Sequence, residues 1–254
     1  MTVSDAYVPP RDLLSKFRRR ATQWRAARPA HLKFDQPLLS ICFDDFPVSA
    51  ANEGARILER RGARATYYAA AGMADADGPC GRNFSARDIV RLNDTGHEIG
   101  CHTFDHADCA RRAPFETLRS LAKNRDVLNA MGAREPARTL AYPYGETQHA
   151  LKSHLPSRFY SARGVLPGIN VGRADLAQLR AFALFGDGWK EALSTALKHA
   201  AKRKGWVIGF THDIADAPSA WGTTGADLDA VLSSARELGF TILPVTAALE
   251  RRIA

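Results

Sequence analysis

Short apolar runs of five to seven residues recur along the chain, and most are followed by a longer amphipathic segment. Eight of these runs read as strands: PLLSICF (37–43), ATYYAA (65–70), HEIGC (97–101), RTLAY (138–142), FYSAR (159–163), AFALF (181–185), WVIGF (206–210) and TILPV (241–245). Between them, AANEGARILERRG (50–62), PFETLRSLAKNRDVLNAMG (114–132), WKEALSTALKHAAKRKG (189–205) and TGADLDAVLSSARELG (224–239) repeat apolar positions at helical spacing and close on a glycine placed for a C-cap. Ser85 is placed to cap the first turn of SARDIVRL. Alternating strands and helices predict a parallel sheet with crossover helices. The chain has neither GxGxxG nor GxxxxGK[ST], so the expectation is a single-domain α/β fold, a distorted (β/α) barrel of seven or eight parallel strands, rather than an open nucleotide-binding sheet. Residues 1–35 read as a basic N-terminal arm and 36–254 as the barrel.

Composition changes this picture little. The 254 residues are 45% hydrophobic and 24% charged, as in a globular protein. The formal charge of +8 is concentrated in the arm, where RDLLSKFRRRATQWRAAR (11–28) sets Leu13, Leu14, Phe17, Ala21 and Trp24 at helical spacing. That segment is read as a basic amphipathic helix, packed on the barrel or resting peripherally on the inner membrane. With no nucleic-acid-binding motif beside the charge, nucleic acid is not expected as a partner. No run nears the roughly eighteen apolar residues of a membrane span, and the N-terminus lacks a signal-peptide pattern, so a cytoplasmic location is expected. The four cysteines form no CxxC and are read as reduced thiols.

A barrel of this type gathers catalytic groups at the C-terminal ends of its strands. The strand ends here carry reactive residues: SICF runs into Asp44, Asp45, Phe46 and Pro47, HEIGC into HTFDH (102–106), RTLAY into PYG, and WVIGF into THD (211–213). Pro47 stops the first strand, which leaves two adjacent carboxylates at its end. His102 and His106, four apart, would share one face of a helical turn and could hold one metal. HEIGCH is one residue too long for a metalloprotease HExxH, so His97 is read as structural. No GxSxG is present to support a serine hydrolase.

FDD (43–45), HTFDH (102–106), YPYG (142–145) and THD (211–213), in this order and on this alternation, resemble the polysaccharide deacetylase family, the NodB-homology domain of carbohydrate esterase type. The resemblance covers about residues 36 to 250 and implies metal-dependent removal of acetyl groups from carbohydrates. It implies Asp45, His102 and His106 as ligands of a divalent metal, zinc first, with cobalt, nickel, iron or manganese also suited to the set. It implies Asp44 as the base that takes a proton from the attacking water. The backbone N–H of Tyr144 would be an oxyanion donor, and His212, which Asp213 could orient, the acid for the departing amine. Trp221 is expected to stack on a sugar ring, and Phe46 and Phe104 to shape the acetyl pocket.

Two features depart from the family pattern. The arginine that precedes the proline of its third motif by two residues is replaced by Ala141, and Arg163, after the next strand, is the candidate substitute. The fourth motif's acid–tryptophan pair has no clear counterpart, although GDGWK holds Asp187 and Trp189. The expected function is hydrolysis of the acetyl group of an N-acetylated amino sugar in a saccharide or lipid-linked precursor. Alternatives are an amidase or deformylase acting on a non-acetyl C–N bond, and a catalytically decayed carbohydrate-binding protein.

Overall fold

The computed structural model describes Thr22, residues 25–134 and residues 137–253. Its central sheet has eight strands, one on each of the eight apolar runs, two of them reaching one residue past the run. They are β1 (Leu38–Asp44), β2 (Thr66–Ala69), β3 (Glu98–Cys101), β4 (Thr139–Ala141), β5 (Ser161–Arg163), β6 (Phe182–Ala183), β7 (Trp206–Thr211) and β8 (Thr241–Ile242). All pairings are parallel. The order is β6-β7-β1-β2-β3-β4-β5, with β8 beside the start of β1. The sheet curls into a half-barrel, and a thin seam joins its edge strand β5 to the segment that leads into β6. There Ala162 N–H donates to the Leu176 carbonyl (2.7 Å), Leu179 N–H to Ala162 (2.8 Å) and Gly164 N–H to Leu179 (3.1 Å), just before the chain enters β6. The result is an irregular (β/α) barrel.

Side-chain alternation along β1 explains both the fold and the site. The strand is buried throughout, as a parallel strand covered on both faces must be. Leu39, Ile41 and Phe43 pack outward against Ile57, Leu58, Leu92, Leu197 and Leu232 of the surrounding helices. Leu38 and Cys42 point the other way and join Tyr68, Ile208 and Phe210 inside the barrel. Burying each such aliphatic or aromatic side chain contributes roughly 1.5–3 kcal/mol, so the register of β1 is firmly set. Asp44 falls on the inward set, and its carboxylate therefore enters the barrel mouth.

The four long amphipathic segments form the helices Ala55–Arg60, Pro114–Ala130, Trp189–Arg203 and Gly225–Glu237, the first entered through a π-turn, Ala50–Gly54. Ser85 precedes the helix Ala86–Asp94, and the Asp88 carboxylate reaches back to accept from both the Ser85 N–H (2.9 Å) and its hydroxyl (2.7 Å). Two strand pairs were not expected: Pro29–Leu32 runs antiparallel to Gly172–Asp175, and Asp77–Gly78 to Gly81–Arg82. Leu32 and Phe34 are buried in the inner cluster, Phe34 edge-on to Trp206 at 6.3 Å, so the packed body begins before residue 36. Most of the expected arm helix lies outside the described residues. Its end is fastened to the barrel by Lys152, whose buried ammonium donates to the carbonyls of Thr22 (2.9 Å) and Arg25 (3.1 Å). Among the described residues no helix is long and apolar enough to cross a membrane.

Candidate metal centre and active site

Asp45, His102 and His106 meet at the mouth of the barrel, each offering a ligand atom within 4.8 Å of the others. Asp45 follows the last residue of β1 with φ +44°, a left-handed conformation that Asp tolerates better than bulkier residues. This turn frees Asp45 from the strand's alternation, so neighbouring carboxylates can serve one site. Asp45 Oδ2 lies 2.8 Å from His106 Nε2, and its Oδ1 lies 3.7 Å from His102 Nε2.

The histidines do not lie on a helical turn, contrary to expectation. The segment after β3 is a loop in which Thr103 (φ +61°) and His106 (φ +49°) are left-handed, and it brings the rings to 5.0 Å. Polar contacts to the helix Pro114–Ala130 hold this conformation: Phe104 N–H donates to Ser120 Oγ (3.0 Å), and Ser120 Oγ donates to Asp105 (2.6 Å).

Each imidazole is oriented through its other nitrogen. His102 Nδ1 lies 2.7 Å from the Ala141 carbonyl, which can only accept, so Nδ1 carries the proton and Nε2 presents a lone pair to the site. His106 Nδ1 lies 3.1 Å from the Tyr144 hydroxyl. Such outer partners are what metal-ligating histidines require. Burial pushes His102 below its ordinary pKa, with the two aspartates pulling against it. Burial acts the same way on His106, but there Asp45 prevails and the value rises. Burial also opposes ionisation of Asp45, yet the two imidazoles bring it down to about 2.

A divalent metal fits these residues. Asp45 Oδ1 is buried with no hydrogen-bond partner, which is costly unless a cation completes it. One carboxylate and two imidazole nitrogens form a three-ligand set of the kind that leaves positions open for water and substrate.

Asp44 does different work from its neighbour. Arg163, fully buried at the end of β5, donates through Nη2 to Asp44 Oδ1. The guanidinium lies 4.7 Å from the Tyr68 ring and 5.0 Å from that of Phe210, and these cation–π contacts fix its place.

His212 follows β7. Its Nδ1 lies 3.2 Å from the Trp221 carbonyl, which fixes the proton on Nδ1, and Phe185 packs edge-on at 5.7 Å. Trp221 itself is 40% exposed at the rim. Tyr144 is left-handed (φ +58°) within Pro143–Gly145.

Three expectations need correction. Phe46 does not shape a pocket: it is wholly buried, stacked on Phe84 at 4.4 Å, because the turn at Asp45 sends it into the outer core. Phe104 lies against Gly72, with the Lys123 ammonium 3.7 Å above its ring, so it braces the loop. Asp213 does not orient His212; its carboxylate accepts from the N–H (2.9 Å) and hydroxyl (2.5 Å) of Ser219. Trp189 opens a helix packed on the outer core and Asp187 is exposed, so this pair does not support His212. Sequence reasoning missed the Tyr144 hydroxyl, the Ala141 and Trp221 carbonyls and Ser120. The carbonyls carry no residue-type signal at all. A cleft of about 440 Å³ extends from Asp213 past Pro47, Ser49, Cys80 and Ser219.

A barrel with Asp/His/His at its mouth and a second aspartate beside it defines a class of carbohydrate-modifying hydrolases. The polysaccharide deacetylase family model matches residues 31–157, half the chain, and the protein belongs to that family. Solved structures of similar fold include the T48 deacetylase with substrate, 18% identical over 86% of this chain and 93% of that one, TM-score 0.58. Another is a family 4 acetyl xylan esterase from Clostridium thermocellum in complex with a cobalt ion, 20% identical over 84% and 90%, TM-score 0.59. A third, from Bacillus anthracis, is a CE4 family pseudoenzyme, 15% identical over 87% and 68%, TM-score 0.54. At these identities the likeness concerns the fold. No curated protein sequence matches the chain.

Proposed function

We propose that the protein is a metal-dependent deacetylase that removes the acetyl group of an N-acetylated amino sugar within a saccharide or lipid-linked precursor. The observation that carries this reading is the buried, unpartnered Oδ1 of Asp45 facing two imidazoles whose other nitrogens are already held. Zinc suits the donor set best; cobalt, nickel, iron and manganese are also compatible. When bound, the metal would supply Lewis acidity, lowering the pKa of a water and taking up charge from the acyl oxygen.

The chain's own groups divide the remaining work. Arg163 holds Asp44 Oδ1, which leaves Oδ2 to accept a proton from the attacking water. The Tyr144 N–H donates to the oxygen of the tetrahedral intermediate. His212, its Nδ1 anchored on the Trp221 carbonyl, delivers a proton from Nε2 to the departing amine. The exposed Trp221 ring offers a face on which a sugar can stack. The basic arm brings the enzyme to the cytoplasmic face of the membrane, where lipid-linked precursors would be met.

The test is acetate release by metal-reconstituted protein from N-acetylated saccharides, lipid-linked amino sugars and O-acetylated sugars. Release by the wild type that is lost in Asp44→Asn supports the reading. Silence across the panel with metal bound shifts the assignment to a formamide or ureide substrate, or to binding without turnover, as a fold shared with a pseudoenzyme allows.

A further inference from the structure

Beside the seam of the barrel lies a second cleft, of about 490 Å³, between the strand pair Pro29–Leu32/Gly172–Asp175 and the stretch that follows β5. Its polar groups are almost all donors. His31 and Arg173 are register partners across the antiparallel pair, so their side chains leave the same face within about 5 Å of each other at Cβ. Neither has a hydrogen-bonding or ionic partner among the described residues. Arg180, also on the rim, is held among the described residues through Nη1 alone, which donates to the Pro167 carbonyl at 3.2 Å. Gln178 has its side-chain carbonyl occupied by Lys152 Nζ at 2.9 Å, which turns its amide NH₂ outward as a further donor.

The cleft's one carboxylate cannot neutralise this set. Asp175 already accepts from Lys152 Nζ (2.7 Å) and from the backbone N–H groups of Ala27 (3.3 Å), Arg28 (2.9 Å) and Ala177 (3.0 Å). Arg173 and Arg180 bring two fixed positive charges to the rim, and the complementary ligand is an anion. Guanidinium groups favour oxyanions that take two parallel hydrogen bonds, phosphate above all. Leu166 and Leu179 also line the cleft and offer apolar surface to the organic part of an ester.

We propose that this cleft is a binding site for a phosphate ester, gripped by Arg173 and Arg180 with His31 and the Gln178 amide. The site is separate from the metal centre and does not depend on the deacetylase reading.

The test is direct binding by the full-length protein. Calorimetric titration with glycerol 3-phosphate probes a soluble ester, and co-sedimentation with phosphatidylcholine vesicles, with and without phosphatidylglycerol, probes a lipid headgroup. Both are repeated with Arg173→Gln/Arg180→Gln and with Arg125→Gln, which removes a distant charge. We expect the double variant to weaken one of these interactions at least tenfold while Arg125→Gln leaves it unchanged; which probe responds identifies the source of the phosphate. No binding of either probe, or binding that the double variant retains in full, overturns the proposal, the second outcome assigning the phosphate to the metal centre or the arm.

Discussion

Ala141 and Arg163 are register partners on the adjacent strands β4 and β5, and only one of them carries a charge. Ala141 occupies the position at which the resemblance to the family's third motif would place an arginine to hold Asp44, the proposed base. Here the guanidinium comes from the same level of the barrel, one strand over, and still reaches Asp44. Because both residues face the interior, a guanidinium from either strand can reach the same carboxylate without a change of register.

This exchange can be tested by reversal. Removing Arg163 leaves Asp44 as an unpaired buried carboxylate, a loss of about 3–5 kcal/mol when a buried pair is broken. Arg163→Met is therefore expected to lower the melting temperature and to cut kcat by about a hundredfold, through misplacement of the base. Adding Ala141→Arg to that variant should recover part of both. Recovery of stability without kcat would show that Arg163 is a structural counterion only.

Metal binding should read out as stability. A ligand of the native state at a hundred times its Kd adds about 2.7 kcal/mol, so zinc or cobalt should raise the melting temperature of the wild type. The rise should vanish in Asp45→Asn, whose amide replaces the carboxylate that now has an unpartnered buried oxygen. Tyr144→Phe removes only the hydroxyl facing His106 Nδ1 and should weaken metal affinity about tenfold. Equal affinity in wild type and Tyr144→Phe, measured by competition with a chelator, would show that the phenol has no part in orienting the ligand.

The eight strands of the central sheet were legible because each falls on a short apolar run with a turn or helix signal at each end, a pattern that fits a strand covered on both faces. The site was legible at the level of residue type, since Asp44, Asp45, His102, His106 and His212 are reactive groups at strand ends. Conformation was not. The left-handed residues Asp45, Thr103 and His106 are spelled like ordinary ones, and a spacing of four suggested a helix where a loop braced by Ser120 does the work. One long-range pair was anticipated through the resemblance alone: Arg163, the candidate substitute for the motif arginine missing at Ala141, does reach Asp44, 119 residues away. Phe46 was misjudged because a single left-handed residue before it reversed its direction.

His97, the decoy of the HEIGCH motif, makes a prediction about acid stability. It is buried, and because the Ala65 N–H donates to its Nδ1 at 3.0 Å, its proton sits on Nε2 and is donated to Glu59 at 3.1 Å. Burial pushes the His97 pKa down to about 4, against the opposing pull of Glu59. The unfolded chain takes up this proton near pH 6.5, so between about 6.5 and 4 the unfolded state binds more protons than the native one. Stability from this group is complete above about pH 6.5 and falls as the pH drops towards 4, by up to about 3 kcal/mol. Urea unfolding at a series of pH values should show that decline in the wild type and a flatter curve in His97→Gln. Parallel curves would assign the acid sensitivity to other groups.

The last prediction concerns His212, proposed as the acid, and a glycine that never touches it. Gly222 follows Trp221, whose carbonyl accepts from the backbone N–H (3.1 Å) and Nδ1 (3.2 Å) of His212 and from the Thr211 hydroxyl (3.1 Å). A Cβ at Gly222 would sit 2.3 Å from Asp213 Oδ1 and 2.6 Å from Oδ2, closer than atoms can approach. Asp213 cannot yield easily, since it is buried and held by Ser219. In Gly222→Ala the backbone at Trp221 must therefore move, and the carbonyl that aims His212 moves with it. A displacement of this kind a few ångströms from the chemistry can cost about a hundredfold in rate. The expected signature is a fall in kcat with metal affinity unchanged, because the proposed metal ligands lie just after β1 and in the loop after β3. The loss should be smaller for a substrate with a good leaving group, which needs less help from an acid. If kcat falls equally for good and poor leaving groups, the damage lies elsewhere than in proton delivery, and His212 is not the acid.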